Sequence, residues 1–146
     1  MEDKYIISVV GTQLVDDEQD VLTMTTTASY SERNGKKLIK YKEYPDEDSE
    51  IPVTTLLKLE ENKLTISKKM GVTSQLILEC GKRHQCAYST PIGVMTIGVY
   101  TESMEYEIDA QGGFIEVSYT LDFNADLESK NTINIKLTKK GDGINV

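Results

Sequence analysis

The chain has 146 residues, a net charge of −8 and an apolar share of 38%, enough for one domain with a core that needs neither disulfides nor metals. That charge repels phosphate backbones and anionic lipid surfaces, and the basic residues are dispersed, with pairs at Lys36-Lys37, Lys68-Lys69 and Lys139-Lys140. Nucleic acid and membranes are therefore not expected partners. Met1-Glu2-Asp3-Lys4 is acidic where a secretory leader is basic, and two cysteines, Cys80 and Cys86, are too few for a secreted disulfide framework, so the expected location is the cytoplasm.

The elements are strands. Lys4 to Val15 carries apolar residues on both faces at its start. Asp16 to Asp20 reads as a charged loop. Val21 to Arg33 places Leu22, Met24, Ala28 and Tyr30 on one side and Thr23, Thr25, Thr27 and Ser29 on the other, the period of two that marks a sheet with one wet face. Asn34-Gly35 is a type I′ hairpin signal. The next strand, Lys36 to Tyr44, points Ile39 and Tyr41 inward. The stretch from Pro45 to Pro52, with two prolines and four acids, is the longest loop and a candidate lid.

Val53–Glu60 and Lys63–Met70 flank a turn at Glu61-Asn62. Gln75–Cys80 and His84–Thr90 flank Gly81-Lys82-Arg83. After Pro91-Ile92-Gly93 come Val94–Thr101 and Met104–Ala110, and Gly112-Gly113 then turns into Phe114–Phe123. The inward row there is Ile115, Val117, Tyr119, Leu121 and Phe123. Asp126 to Lys130 is a polar link with room for a helical turn, and Thr132 to Thr138 is the last strand. Hairpin follows hairpin with no long crossover. The expected fold is a single all-β domain over residues 1–146, a closed antiparallel up-and-down barrel of about 8–10 strands, with closure removing exposed edges. A sandwich is the alternative.

The stretch Tyr88-Ser89-Thr90-Pro91-Ile92-Gly93, then Val94-Met95-Thr96-Ile97, Thr101, the Gly112-Gly113 hairpin, Tyr119 and Ser129-Lys130-Asn131 resembles the small YwiB-like family of bacterial proteins. Tyr41, Glu43 and Thr54-Thr55-Leu56 belong to the same pattern, and the resemblance runs from about Ile6 to Leu137. It implies a calycin-like barrel, the superfamily of lipocalins and fatty-acid-binding proteins, and no assigned biochemical function. The chain lacks the lipocalin Gly-x-Trp, because it has no Trp, and both arginines, Arg33 and Arg83, lie at hairpin turns. Neither lipid-type site carries over.

Cys80, His84 and Cys86 fall on one face if Cys80 pairs with His84, and two thiolates with an imidazole would suit zinc. The competing reading is two small half-buried cysteines and a solvated histidine, and the spacing lacks a fourth ligand. No Gly-x-Ser-x-Gly elbow supports a serine hydrolase, and His84 is the single histidine, so an enzyme is not expected. No cofactor is implied, and the acidic runs lack the glycine placement of an EF-hand. Eight Tyr against two Phe make an aromatic surface rich in hydroxyls. Tyr30, Tyr41, Tyr88, Tyr106 and Tyr119 fall on inward rows, with Thr26, Thr55, Thr90 and Thr96 as hydroxyl partners. These residues are the candidate lining of an interior site for a small lipophilic or aromatic ligand, with Thr55 among them. The competing function is a homo-oligomeric or protein-interaction module around a filled core, resting on the first strand and on Leu56, Ile77, Ile97 and Val99 as outward-facing apolar residues.

Overall fold

The computed structural model describes residues 4–43, 52–70, 72–90, 93–123 and 127–140; the side chains at 70, 72–73, 88–90, 94, 123 and 127 lie outside the described set. The expected 45–52 loop therefore falls outside it except for Pro52. Ten strands are present: β1 (Tyr5–Val15), β2 (Glu18–Arg33), β3 (Lys36–Glu43), β4 (Val53–Glu60), β5 (Lys63–Met70), β6 (Val72–Glu79), β7 (Arg83–Thr90), β8 (Gly93–Asp109), β9 (Gly112–Phe123) and β10 (Leu127–Lys139). They form one sheet in the order β6-β5-β4-β3-β2-β1-β10-β9-β8-β7. Each ladder is antiparallel, and β1 pairs with both β2 and β10, so the meander wraps back on itself. The result is a nearly closed up-and-down barrel, and the described residues contain no helix.

Two strands turn the corners. β2 pairs with β1 as far as Ala28 and with β3 from Ala28 onward. β8 pairs with β7 through its first half and with β9 from Gly98, with a bulge between Thr101 and Ser103. That bulge corrects two expectations. The segments Val94–Thr101 and Met104–Ala110 are one strand, and the extra residue moves its inward row from Ile97, Val99 and Thr101 to Met104, Tyr106 and Ile108. Ile97 and Val99 are consequently core residues, at 2% and 0% exposure, and not outward-facing. Ile77 is half-buried against the core, which leaves Leu56 as the exposed member of that set.

Three local expectations also shift. Asp16 and Asp17, with φ of 48° and 66°, make a two-residue turn, so Glu18 to Asp20 belong to β2. Aspartate tolerates this left-handed backbone better than most residues. The β8–β9 turn is Ala110-Gln111, and the glycines begin β9. A Cβ on Gly113 would collide with Glu107 O and lie 2.7 Å from Ile108 Cα, so close approach of backbone requires glycine there. The polar link after Asp126 is the start of β10 and not a helical turn. Asn34-Gly35, with φ of 54° and 78°, is the hairpin turn its sequence announces.

The inner rows pack as one core. Ile7, Ile39, Leu57, Leu59, Leu64, Leu78, Ile97, Val99, Ile115, Val117, Ile135 and Leu137 are each at most 2% exposed. Their burial supplies most of the drive to fold, on the order of 1.5–3 kcal/mol per side chain. Outside the barrel, Arg83 on β7 crosses Gly98 on β8 to meet Asp122 on β9 in a bidentate pair at 2.5 and 2.9 Å. A Cβ on Gly98 would collide with Arg83 Nη2 and lie 2.7 Å from Asp122 Oδ1, so the missing side chain makes room for this three-strand clamp. The carboxylate holds the Arg83 guanidinium above its ordinary range, first through these hydrogen bonds and then through its charge.

Candidate functional site

At the Asn34 end of the barrel lie the turns Asn34-Gly35, Glu61-Asn62, Cys80–Lys82 and Ala110-Gln111, and Lys140 N–H donates to Lys4 O at 2.8 Å. Tyrosines close this end. Tyr5 donates to Ala110 O at 2.7 Å and Tyr106 to Glu61 O at 3.0 Å. Tyr30 donates to Glu32 Oε2 at 2.7 Å, and its ring tilts against Tyr5 at 5.7 Å. Burial first, then Glu32, pushes the Tyr30 phenol well above its usual range. Tyr30 and Tyr106, both expected to line a ligand site, are committed to this closure.

The inner rows also carry two polar patches. The first spans β3, β4 and β5. Tyr41 lies beside Thr55 across the β3–β4 ladder, and Thr55 beside Lys68 across β4–β5. Lys68 Nζ pairs with Glu43 Oε1 at 3.6 Å. Tyr41 is 6% exposed, and burial, then Glu43, raises its phenol far above the ordinary value, while the nearby Thr55 hydroxyl opposes the shift. Thr55 is fully buried, yet its Oγ1 reaches hydrogen-bond geometry with no partner among the described residues.

The second patch runs along one register row of β8, β9, β10 and β1: Thr101, Tyr119, Asn131 and Gln13. Ser129 sits two residues before Asn131 on the same inner face. Asn131 Nδ2 donates to Ser129 Oγ at 3.0 Å and to Ser129 O at 3.2 Å, and Gln13 Nε2 reaches the same hydroxyl at 3.5 Å. Thr101, Ser129 and Asn131 are buried and Gln13 is exposed, so the row leads from the interior to the rim. Thr101 Oγ1, like Thr55 Oγ1, is buried with no partner among the described residues.

The structure thus brings Tyr41 next to Thr55 and Tyr119 next to Thr101, and commits Tyr30 and Tyr106 to Glu32 and Glu61 at the Asn34 end. Thr26 lies on an inner row, Thr96 is exposed, and the side chains of Tyr88 and Thr90 lie outside the described residues. Sequence reading missed Gln13, Ser129 and Asn131 as site residues. The available signal was parity, because Ser129 and Asn131 continue the row of Ile133, Ile135 and Leu137.

The cysteine–histidine trio is not assembled. β6 and β7 form no ladder, so Cys80 does not pair with His84; it bridges Thr101 instead. Cys80 is exposed, Cys86 is buried, and both are free thiols. His84 Nε2 sits 2.8 Å from Glu79 Oε1. That hydrogen bond is the main cause holding the Glu79 carboxyl below its usual value, with Lys82 adding to it. Among the described residues, no group of three such side chains is placed to hold a metal ion. Two open clefts, of about 450 and 470 Å³, meet at Glu116 and Asn134, residues of the outward rows.

These features can be set beside known proteins. The model of the family described as Domain of unknown function (DUF1934) matches residues 7–135. The chain belongs to this DUF1934 family. Its fold is similar to that of the ywiB protein from Bacillus subtilis, a crystal structure with a TM-score of 0.76, 20% identity, and coverage of 90% of this chain and 89% of that one. At that identity the likeness concerns the fold alone, and it agrees with the expected YwiB-like barrel. No curated protein matches the chain. No helix among the described residues of this DUF1934 protein is long and apolar enough to cross a membrane.

Proposed function

We propose that this DUF1934 barrel is a non-enzymatic, cytoplasmic binding protein that holds a small ligand in its interior, between the Tyr41–Thr55 and Thr101–Asn131 patches. The observation that carries this reading is the pair of fully buried hydroxyls, Thr55 and Thr101, with no partner among the described residues. Leaving such a group unbonded costs about 1–3 kcal/mol, a cost that a ligand with hydrogen-bonding groups removes. The aliphatic core beneath favours a ligand with an apolar or aromatic body and a polar edge. The test is native mass spectrometry of protein purified from its own host. A retained organic mass supports the reading, and a chain that stays bare under conditions preserving its fold contradicts it.

A second reading is self-association through the β1–β2 hairpin. Leu22, Val21 and Leu14 are 78%, 52% and 39% exposed, and β2 from Glu18 to Thr27 pairs with β1 and with no other described strand. Such an edge is a template for another strand. Light scattering at increasing concentration separates the two: a monomer throughout removes this reading and leaves the first intact.

A further inference from the structure

We propose that the barrel opens along the line between β6 and β7, with the Cys80–Lys82 turn as hinge, and that this seam is where a ligand enters. The inference rests on the ligand-binding reading for its purpose, but strand separation itself needs no ligand to be detected.

Consecutive strands elsewhere in the sheet are joined by ladders, whereas β6 and β7 are its two edges. Backbone bonds hold the turn between them. There, Gly81 N–H donates to Thr101 O at 2.9 Å and Lys82 N–H to Glu79 O at 3.0 Å, while Cys80 N–H ties the end of β6 to Asn62 O on the β4–β5 turn at 2.9 Å. Beyond the turn, the described links are made through side chains. His84 meets Glu79 at 2.8 Å, and Ile77 N–H donates to Cys86 Sγ at 3.4 Å. Sulfur is a weak acceptor, and a single side-chain contact between partly exposed partners holds loosely. A line of the wall fastened by backbone bonds at the turn, with no ladder along its length, is the kind of unit that opens without global unfolding. Leu78 and Cys86, at 0% and 4% exposure, lie behind it. Opening uncovers this part of the core, while Thr101, which bridges the hinge residue Cys80, stays at the fastened end.

Cys86 is a built-in reporter. In a Cys80→Ser variant it is the single thiol, and its thiolate attacks an aromatic disulfide reagent, forming a mixed disulfide and releasing a coloured aromatic thiolate. Seam opening predicts that Cys86 is labelled in native buffer at a rate nearly independent of low urea, because little surface is exposed. Glu79→Gln then raises that rate roughly twofold to fivefold, as expected for loss of a partly exposed pair, with the melting temperature nearly unchanged. Labelling that follows urea as steeply as global unfolding overturns the proposal, as does a rate unaffected by Glu79→Gln. If Cys80→Ser perturbs the fold, Cys80→Ala serves the same purpose, and amide exchange at Ile77 and Gln85 in the unmodified protein gives an independent reading. A seam that stays shut in a protein retaining a ligand sinks this inference alone; an opening seam in a bare protein sinks the binding function alone.

Discussion

The Asn34 end of this barrel and its interior polar patches are made from the same strands with the same alternation, yet they solve opposite problems. At the Asn34 end the inner rows finish in Ile108, Ile115, Ile135 and Leu137, all buried, and tyrosine hydroxyls cap turn carbonyls on neighbouring hairpins. The tyrosine hydroxyls brought inside there have destinations. Elsewhere on the inner rows Thr55, Thr101, Ser129 and Asn131 are buried, and the hydroxyls of Thr55 and Thr101 have no partner among the described residues. The lesson is that alternation builds the wall, while the identity of the inward residues decides whether each polar group inside it is paired. The first region contributes stability; the second gives some up.

The comparison predicts unequal mutational costs. Ile115→Ala at the plugged end should lose about 2–4 kcal/mol in urea unfolding, whereas Leu121→Ala, at a half-buried position, should lose less than half as much. Equal losses would erase the distinction. Gly98→Ala, which displaces the Arg83–Asp122 clamp, should cost less than Ile115→Ala, because its Cβ meets the ends of flexible side chains; Arg83→Ala in that background should then add little. The sign reverses at the polar patches: Thr101→Val, or Thr55→Val, should stabilise ligand-free protein by roughly 0.5–1.5 kcal/mol by removing an unbonded hydroxyl. Tyr106→Phe should cost about 0.5–1 kcal/mol, since the exposed Glu61 carbonyl regains water. The smallest effect concerns pH. Glu79 is held below its ordinary value of 4.5, so its contribution is complete above that value and is lost as pH falls through the lower folded value. Acid unfolding of Glu79→Gln should lack that increment.

Much of the wall was legible in the sequence. Asn34-Gly35 announced its turn, and the alternation of β3 and β9 placed Ile39, Tyr41, Ile115 and Val117 correctly, because side-chain parity is fixed by the backbone. Two things hid the rest. The Thr101–Ser103 bulge inserts one residue and reverses parity, which made one long strand look like two and turned Ile97 and Val99 outward on paper. The polar residues of the candidate site broke the apolar pattern that marks a strand, so Ser129 and Asn131 read as a link before β10. Tyr30 and Tyr106 lie on inward rows, as expected, but which end of the barrel they occupy depends on the stagger between strands, and no single strand's sequence carries that information.

The most direct test of the central claim compares wild-type protein with the Thr55→Val/Thr101→Val double variant, both purified from the native host and extracted for mass analysis of bound small molecules. The account predicts a stoichiometric organic ligand in the wild type that is depleted at least tenfold in a folded double variant. A bare wild type, or a ligand held equally by both proteins, would contradict it.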